Sequence, residues 1–387
     1  MLINRIQLNH TRNLESVDLD DFSLLNFFVG PNGSGKTSLL ESIAIASLGR
    51  SFRSNKVQTV INRHQSQLSV FIALQDDSDK LHKIGIQRDR KNSFMVRING
   101  ANAKSLSQLS AMLPLVILDA NAFELLDGSP SVRRKFIDWG VFHVEHGFLE
   151  CWKNFNRILK QRNALLRKGM DDYDLYLPWD KELVSLSLTI EKYRLKYLSE
   201  FQKQLQYSLS ALDKSLTDHK VFYKNGWGID RQELHDLHAK GDLNFKADTL
   251  LALLQQSFER DLKYQRSHIG PHKADMEIKQ SRLSVKDIYS RGQKKTLVAA
   301  MQLAQARVVS QLTAKRPILL LDDLPSELDS AHLEAFLAFV IAEKYQSFIT
   351  SVDDQIYSHN MHTKARMFHV ERGKITPYEG IEPKESA

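Results

Sequence analysis

From Gly30 the chain spells Gly-Pro-Asn-Gly-Ser-Gly-Lys-Thr and continues into Ser38. This G-x-x-x-x-G-K-T spacing lets the glycines at 30, 33 and 35 turn the backbone so tightly that successive N–H groups face one point, which suits a polyphosphate at a helix N-terminus. Lys36 has the reach for the β- and γ-phosphates, and the Thr37 hydroxyl for a Mg²⁺ ion. The residues expected to hold the nucleotide are therefore Gly30, Pro31, Asn32, Gly33, Ser34, Gly35, Lys36, Thr37 and Ser38.

A second chemical stretch lies near the C-terminus. Pro317-Ile-Leu-Leu-Leu-Asp-Asp323 reads as a buried strand ending in two carboxylates. In that position Asp322 is the expected partner of the metal, and Asp323 the group that orients or deprotonates an attacking water. Ser326-Glu-Leu-Asp329 follows at once. Upstream, Ser290-Arg-Gly-Gln293 precedes a strong helical pattern, so a small hydroxyl and Gly292 form another anion-binding corner at a helix start.

Positioning these groups requires an α/β frame. Leu24 to Val29 reads as the buried strand feeding the loop, and Leu39, Leu40, Ile43 and Leu48 as one apolar face of the helix that leaves it, stopping at Gly49. Alternation predicts strands at 2–8 and 17–19, and three more at 68–74, 84–88 and 94–98, an antiparallel patch beside the nucleotide site. A polar helix near 105–112 leads to a buried strand at 114–118. From Ser131 the pattern is helical for about 80 residues. Phe148, Trp152, Phe155, Leu159 and Leu166 form a seam interrupted by Arg162, and a longer helix carries Leu183 to Leu212 after a loop at Gly169–Pro178. Two such helices should pack antiparallel, as an ordinary helical subdomain in preference to a true coiled coil. Residues 215–245 give little, and a helix is expected over about 247–264. His268 and His272 flank a Gly-Pro break, which keeps them off a common helix face and argues against a metal pair. The expected layout is residues 1–128 as the N-terminal part of a nucleotide-binding head, 129–245 as a helical insertion, and 246–387 as the C-terminal part of the head.

The formal net charge is +7, and its distribution is uneven. Residues 50–104 hold eleven Lys/Arg against four Asp, and Lys153–Lys168 adds six cations and no acid. Such clusters suit nucleic-acid phosphates, although a solvated basic face has the same composition. The single Cys151 excludes an internal disulfide and a cysteine-built zinc site. No window approaches the roughly 20 apolar residues of a membrane span, and a cytoplasmic protein without a membrane partner is expected.

Taken in order, the phosphate loop, Ser-x-Gly-Gln before a helix, hydrophobic-Asp-Asp and Ser-x-Leu-Asp resemble an ABC-type ATPase head of the SMC/Rad50 branch. The interval between Lys36 and Ser290 is too long for a transporter head and too short for SMC or Rad50 arms. Thr11-Arg-Asn-Leu14, Gly49-Arg-Ser-Phe-Arg53, Asp127-Gly-Ser-Pro-Ser-Val-Arg-Arg134, Leu159-Lys-Gln-Arg-Asn-Ala-Leu-Leu166 and Gly270-Pro-His-Lys273 are similar to stretches of the RecF family of bacterial recombination mediators. The resemblance implies an ATPase of DNA repair, replication, recombination and the SOS response that uses ATP and Mg²⁺. It also implies a homodimer with ATP on duplex DNA, single-stranded gaps and junctions, working with RecR, RecO and RecA. By the same resemblance Ser290 and Gly292 act on the nucleotide of a partner protomer, Gln293 belongs to the nucleotide-binding residues, Asp329 lies at the dimer seam, and Arg12 lies near the nucleotide. Three departures stand out. Asp323 replaces the usual glutamate, which implies slow hydrolysis; Thr350 stands where many ABC heads have a switch histidine; and no glutamine occurs in the Q-loop position, Asp119–Phe123. The rival readings are a structural DNA-binding protein with little ATPase activity and a transporter ATPase subunit.

Overall fold

The structure is a computed structural model that describes residues 1–387 except 55, 77, 92, 217, 230–242, 353–364 and 379–387. It divides into two compact units, one of Met1–Ala122, Ser208–Ser215 and the chain from Lys295 onward, the other of Phe123–Tyr207 and Leu216–Lys294. The second unit takes in residues 246–294, which the sequence alone groups with the head.

The first unit is built on two sheets. The central one runs, strand by strand, Lys374–Pro377, Ala365–Glu371, Leu25–Val29, Ser347–Ser351, Ile318–Leu321 and Leu115–Leu118. Its strands are parallel except for the edge hairpin at 374–377. Leu25–Val29 and Ile318–Leu321 are buried at every position, as expected of strands covered on both faces. The second sheet is antiparallel, in the order Leu14–Asp20, Leu2–Thr11, Gln67–Gln75, Leu81–Asp89, Phe94–Ile98 and Ala101–Asn102. In Gln67–Gln75 the buried side chains alternate strictly with more exposed ones, so one face of this sheet meets a core.

The helix Lys36–Leu48 packs against strands of both sheets. It is buried almost all round, Thr37 and Leu48 excepted, and the expected single apolar face is therefore too narrow. The reason is visible in its small residues: Ser38, Ser42, Ala44, Ala46 and Ser47 fill the sides that a surface helix would give to charge.

In the second unit, Phe148–Arg167 packs antiparallel, as the sequence predicts, against the helix Leu177–Leu212, which belongs to that unit as far as Tyr207. Phe148 meets Tyr193, Cys151 Sγ reaches the Leu186 carbonyl at 3.5 Å, and Arg162 Nε donates to Asp180 Oδ1 at 2.6 Å, so partners descend as positions rise. The longer helix has 36 residues and begins at Leu177, before the expected start, because a proline in the first turn lacks only an N–H that would be unpaired there. Its buried residues include Val184, Ser187, Glu191, Arg194 and Leu198 as well as the seam, the breadth of a packed subdomain. Arg162 does not interrupt the seam. It is fully buried, and its charge is met by Asp180 and by Asp261 at 2.7 Å. One of the six cations of Lys153–Lys168 is thus withdrawn from the surface.

The sequence reading misses a three-stranded antiparallel sheet, His219–Lys224 with Asp275–Gln280 and Leu283–Ser284. The signal was there in Met276 and Ile278 alternating with Glu277 and Lys279. Part of the weakly informative 215–245 region lies outside the described residues. The helix expected over 247–264 is two, Leu243–Gln256 and Phe258–Tyr264.

Candidate nucleotide site

The loop after Leu25–Val29 is held from three sides. Gly30 lies so near the last parallel strand that a Cβ there would stand 2.0 Å from the Val370 carbonyl oxygen, which no side chain tolerates. Gly35 takes φ 123°, a conformation that favours glycine, and leads straight into the helix at Lys36. The Gly373 N–H donates to the Ser34 carbonyl at 2.8 Å. Asn13, absent from the sequence expectations, closes the remaining side: its Nδ2 donates to the Gly33 carbonyl at 3.1 Å and its Oδ1 accepts from Ser38 Oγ at 3.1 Å.

Lys36 is buried, and its Nζ donates to the carbonyls of Gly30 at 2.5 Å and Pro31 at 3.0 Å. Burial lowers its pKa below the ordinary amine value, while Asp323 and Asp322 pull the other way. Thr37 Oγ1 donates to Asp322 Oδ1 at 2.9 Å, which unites the two chemical stretches of the sequence. Thr350 clamps the acid pair from the neighbouring strand, donating to Asp322 Oδ1 at 2.8 Å and accepting from the Asp323 N–H at 2.9 Å. Asp323 itself is exposed, with left-handed backbone at φ 55°. Asp119 leaves the strand beside Ile318–Leu321, and burial, then the charge of Asp322, raises its pKa.

Arg12 arrives from the turn between the first two strands. Glu41, fully buried on the helix Lys36–Leu48, grips its guanidinium from below through Nε and, at 2.8 Å, Nη2. Arg12, Asn32, Gly33, Gly35, Lys36, Thr37, Ser38, Asp322 and Asp323 line one cavity of about 750 Å³. Asn62, Arg63 and His64 complete a wall of it, on a turn braced by Arg90, whose guanidinium donates to the Asn62 and Gln65 carbonyls at 2.8 Å. Arg53 and Arg63 thus leave the basic cluster at 50–104 to face the cavity, and Glu327, ion-paired with Lys295 at 2.9 Å, lines it as well.

Every lining residue belongs to the first unit. Ser290, Gly292 and Gln293 belong to the second unit and are exposed at the start of the helix Arg291–Thr313. Ser290 and Gln293 form a capping box, the Gln293 N–H donating to Ser290 Oγ at 3.3 Å and the Ser290 N–H to Gln293 Oε1 at 3.0 Å. A Cβ at Gly292 would meet nothing within 4 Å. Asp329 is exposed and caps Ser330–Ala342 by accepting from the His332 N–H at 3.0 Å. The two histidines of the Gly-Pro turn have protein partners, His268 Nδ1 with Asp261 at 2.9 Å and His272 Nε2 with the Ser267 carbonyl at 3.2 Å.

Residues 2–376 match the RecF/RecN/SMC N terminal domain family. The DNA replication and repair protein RecF of Cellvibrio japonicus (strain Ueda107) is 39% identical over 381 residues, covering 97% of this chain and 99% of that protein. The chain belongs to the RecF family. The solved structure of the recombination mediator protein RecF-ATPrS in the RecFOR pathway is similar over 97% of this chain and 98% of its own, with a TM-score of 0.85 and 26% identity. A solved SmcHead bound to the C-winged helix domain of ScpA is similar over 98% of each chain with a TM-score of 0.56 and 14% identity, a likeness of fold. The α/β head with an antiparallel sheet and inserted helices, expected from the residue pattern together with the family resemblance, is therefore the architecture found. Among the described residues no helix is long and apolar enough to cross a membrane.

Proposed function

We propose that the chain is a cytoplasmic, ATP-dependent DNA-binding protein that closes as an ATP-stabilised dimer on duplex or gapped DNA, hydrolyses ATP slowly, and assists RecA loading together with RecR and RecO. The observation that carries the reading is the cavity in which the phosphate loop, Arg12 and the Asp322–Asp323 pair meet. Membership of the RecF family supports the DNA-repair setting.

In this reading the loop N–H groups cradle the phosphates and Lys36 turns from the Gly30 and Pro31 carbonyls to the β- and γ-phosphates. The hydroxyl of Thr37 and the carboxylate of Asp322, already within hydrogen-bond distance, form an all-oxygen pair of the kind that suits Mg²⁺. When bound, Mg²⁺ neutralises charge on the transferred phosphoryl group. Asp323 accepts the proton of the attacking water, and its side chain, one methylene shorter than glutamate, sets a slow rate. Glu41 keeps Arg12 aimed at the nucleotide. Ser290, Gly292 and Gln293 present their corner to the γ-phosphate of a partner protomer, with Asp329 at the seam. Their exposure supports this arrangement. ATP then acts as a timer: it holds two heads together until hydrolysis releases them.

The test is sedimentation velocity with ATP, ADP or no nucleotide, on and off gapped DNA. The reading requires an ATP-specific dimer that persists on gapped DNA. Monomers in all three nucleotide states would overturn it.

A further inference from the structure

The small antiparallel sheet of the second unit turns one face outward that the nucleotide reading does not use. His219 and Tyr223 point inward, His219 to the Tyr289 hydroxyl and Tyr223 to Arg194 Nη1 at 3.3 Å. By the two-residue period of a strand, Lys220, Phe222 and Lys224 lie on the opposite face. In the register Lys220 stands directly opposite Lys279, and Phe222 opposite Glu277. Like charges paired across a ladder destabilise it, so the chain bears a cost there that its own folding does not explain.

The surrounding chemistry is one-sided. Asp218, Lys220, Phe222, Lys279, Ser281 and Arg282 line a concavity of about 610 Å³, three cations against one carboxylate. Ser281 and Arg282 both have left-handed backbone, φ 49° and 74°, at the tight turn out of the strand Asp275–Gln280. Lys279 Nζ lies 5.0 Å from the centre of the Phe222 ring. Lys279 and Lys224 share a single acid, Glu277, at 3.6 and 3.3 Å, and Lys220 and Arg282 form no ion pair among the described residues. A partly exposed aromatic ring flanked by lysines and an arginine in a groove is the combination by which proteins stack a base and hold the phosphates on either side.

We infer that this face binds single-stranded nucleic acid, with Lys220, Lys279 and Arg282 on backbone phosphates and a base stacked on Phe222. The inference rests on the DNA-binding reading above and gives it a contact surface. Duplex stacks its bases internally and offers Phe222 no open π-face, so single strands are the preferred ligand.

The test uses the full chain and an oligothymidylate of about 16 nucleotides, near the upper site size of such grooves, carrying 5-iododeoxyuridine. Photocrosslinking of the natural chain should label the 220–224 segment. Phe222→Leu should lower single-strand affinity about tenfold, with blunt-duplex affinity unchanged. Lys220→Ala should reduce the slope of log affinity against log salt by about 0.7, the loss of one single-strand phosphate contact. Crosslinks elsewhere, unchanged single-strand affinity, or an equal loss on duplex would each overturn the assignment. Duplex binding without single-strand binding sinks this site alone; binding of neither, with or without ATP, sinks the DNA-binding reading as well.

Discussion

Thr37 and Asp322 stand 285 positions apart in the chain, yet the hydroxyl of one donates to the carboxylate of the other over 2.9 Å. Two parallel strands bring them together, Leu25–Val29 and Ile318–Leu321, with only Ser347–Ser351 between them. Because Thr350, the penultimate residue of that intervening strand, also bonds Asp322, both oxygen donors are held before any ligand arrives. Preorganisation of this kind reduces what a bound ion must reorder.

Asp322→Asn should therefore remove the metal dependence of nucleotide binding and leave the rest of the cradle intact. ATP affinity measured in EDTA should stay within about twofold of the natural chain, while the gain on adding Mg²⁺, on the order of tenfold or more, should vanish. A full Mg²⁺ gain in the variant would remove Asp322 from the metal site. Calorimetric titration with and without the ion reads both quantities.

Glu41 offers a second, separable lever. It is fully buried and braces Arg12, which is itself partly exposed toward the cavity. Glu41→Ala should destabilise the fold by about 3 kcal/mol, as removal of one partner from a buried pair does, and should also weaken ATP binding by releasing Arg12. Arg12→Ala should weaken ATP binding to a similar extent and cost at least as much stability, because it leaves the buried Glu41 carboxylate without its cation. Thermal melting gives the first quantity, and the ATP-induced rise in Tm gives the second. If Glu41→Ala melts early but binds ATP normally, Arg12 serves only the fold.

Ser290 has a capping role visible in this structure and a proposed role toward a partner's nucleotide, so a simple deletion confounds them. Ser290→Ala should cost about 1 kcal/mol through the lost cap, whereas Ser290→Asn keeps a capping oxygen and should stay near natural stability. Both variants should retain ATP binding as monomers and lose ATP-driven dimerisation, because neither presents the serine hydroxyl to a γ-phosphate. Mixing Lys36→Ala with Ser290→Ala should restore one sound composite pocket, read as ATPase activity in the mixture. Normal dimerisation of Ser290→Asn would end the proposed trans assignment.

What could be read beforehand follows from how locally each feature is encoded. The phosphate loop and the Asp-Asp strand end are runs of fixed spacing, so their types and order sufficed to foresee Lys36, Thr37 and Asp322 as a group. Asn13, Glu41 and the Asn62–His64 turn were not legible, because ordinary polar residues become cavity walls only when two sheets close on one helix. The same closure makes Lys36–Leu48 buried all round where its periodicity suggests a single face. Arg162 looked like a break in a seam because its compensating acids, Asp180 and Asp261, come from other elements. The outward lysine pair of the small sheet was hidden for a related reason: Lys220 and Lys279 are neighbours only in the strand register.

Glu191 carries the last prediction, a pH dependence confined to the second unit. It is 3% exposed on the helix Leu177–Leu212, and its Oε1 has no hydrogen-bond partner among the described residues. Burial pushes its carboxyl up to about 7 from an ordinary 4.5, against the opposing pull of Arg194 and Lys246. A carboxyl raised on folding binds its proton more tightly in the folded state. Its contribution is therefore fully present below about pH 4.5 and is lost as pH rises through about 7. Glu191→Gln fixes the neutral form, so the variant should match the natural chain near pH 4.5 and exceed it at pH 8 by on the order of 1–3 kcal/mol. All four tryptophans, Trp139, Trp152, Trp179 and Trp227, lie in the second unit, so urea unfolding followed by tryptophan emission reports on that unit. A stability difference that stays constant from pH 5 to pH 8 would show that Glu191 is charged in the folded chain, held by the cations beside it.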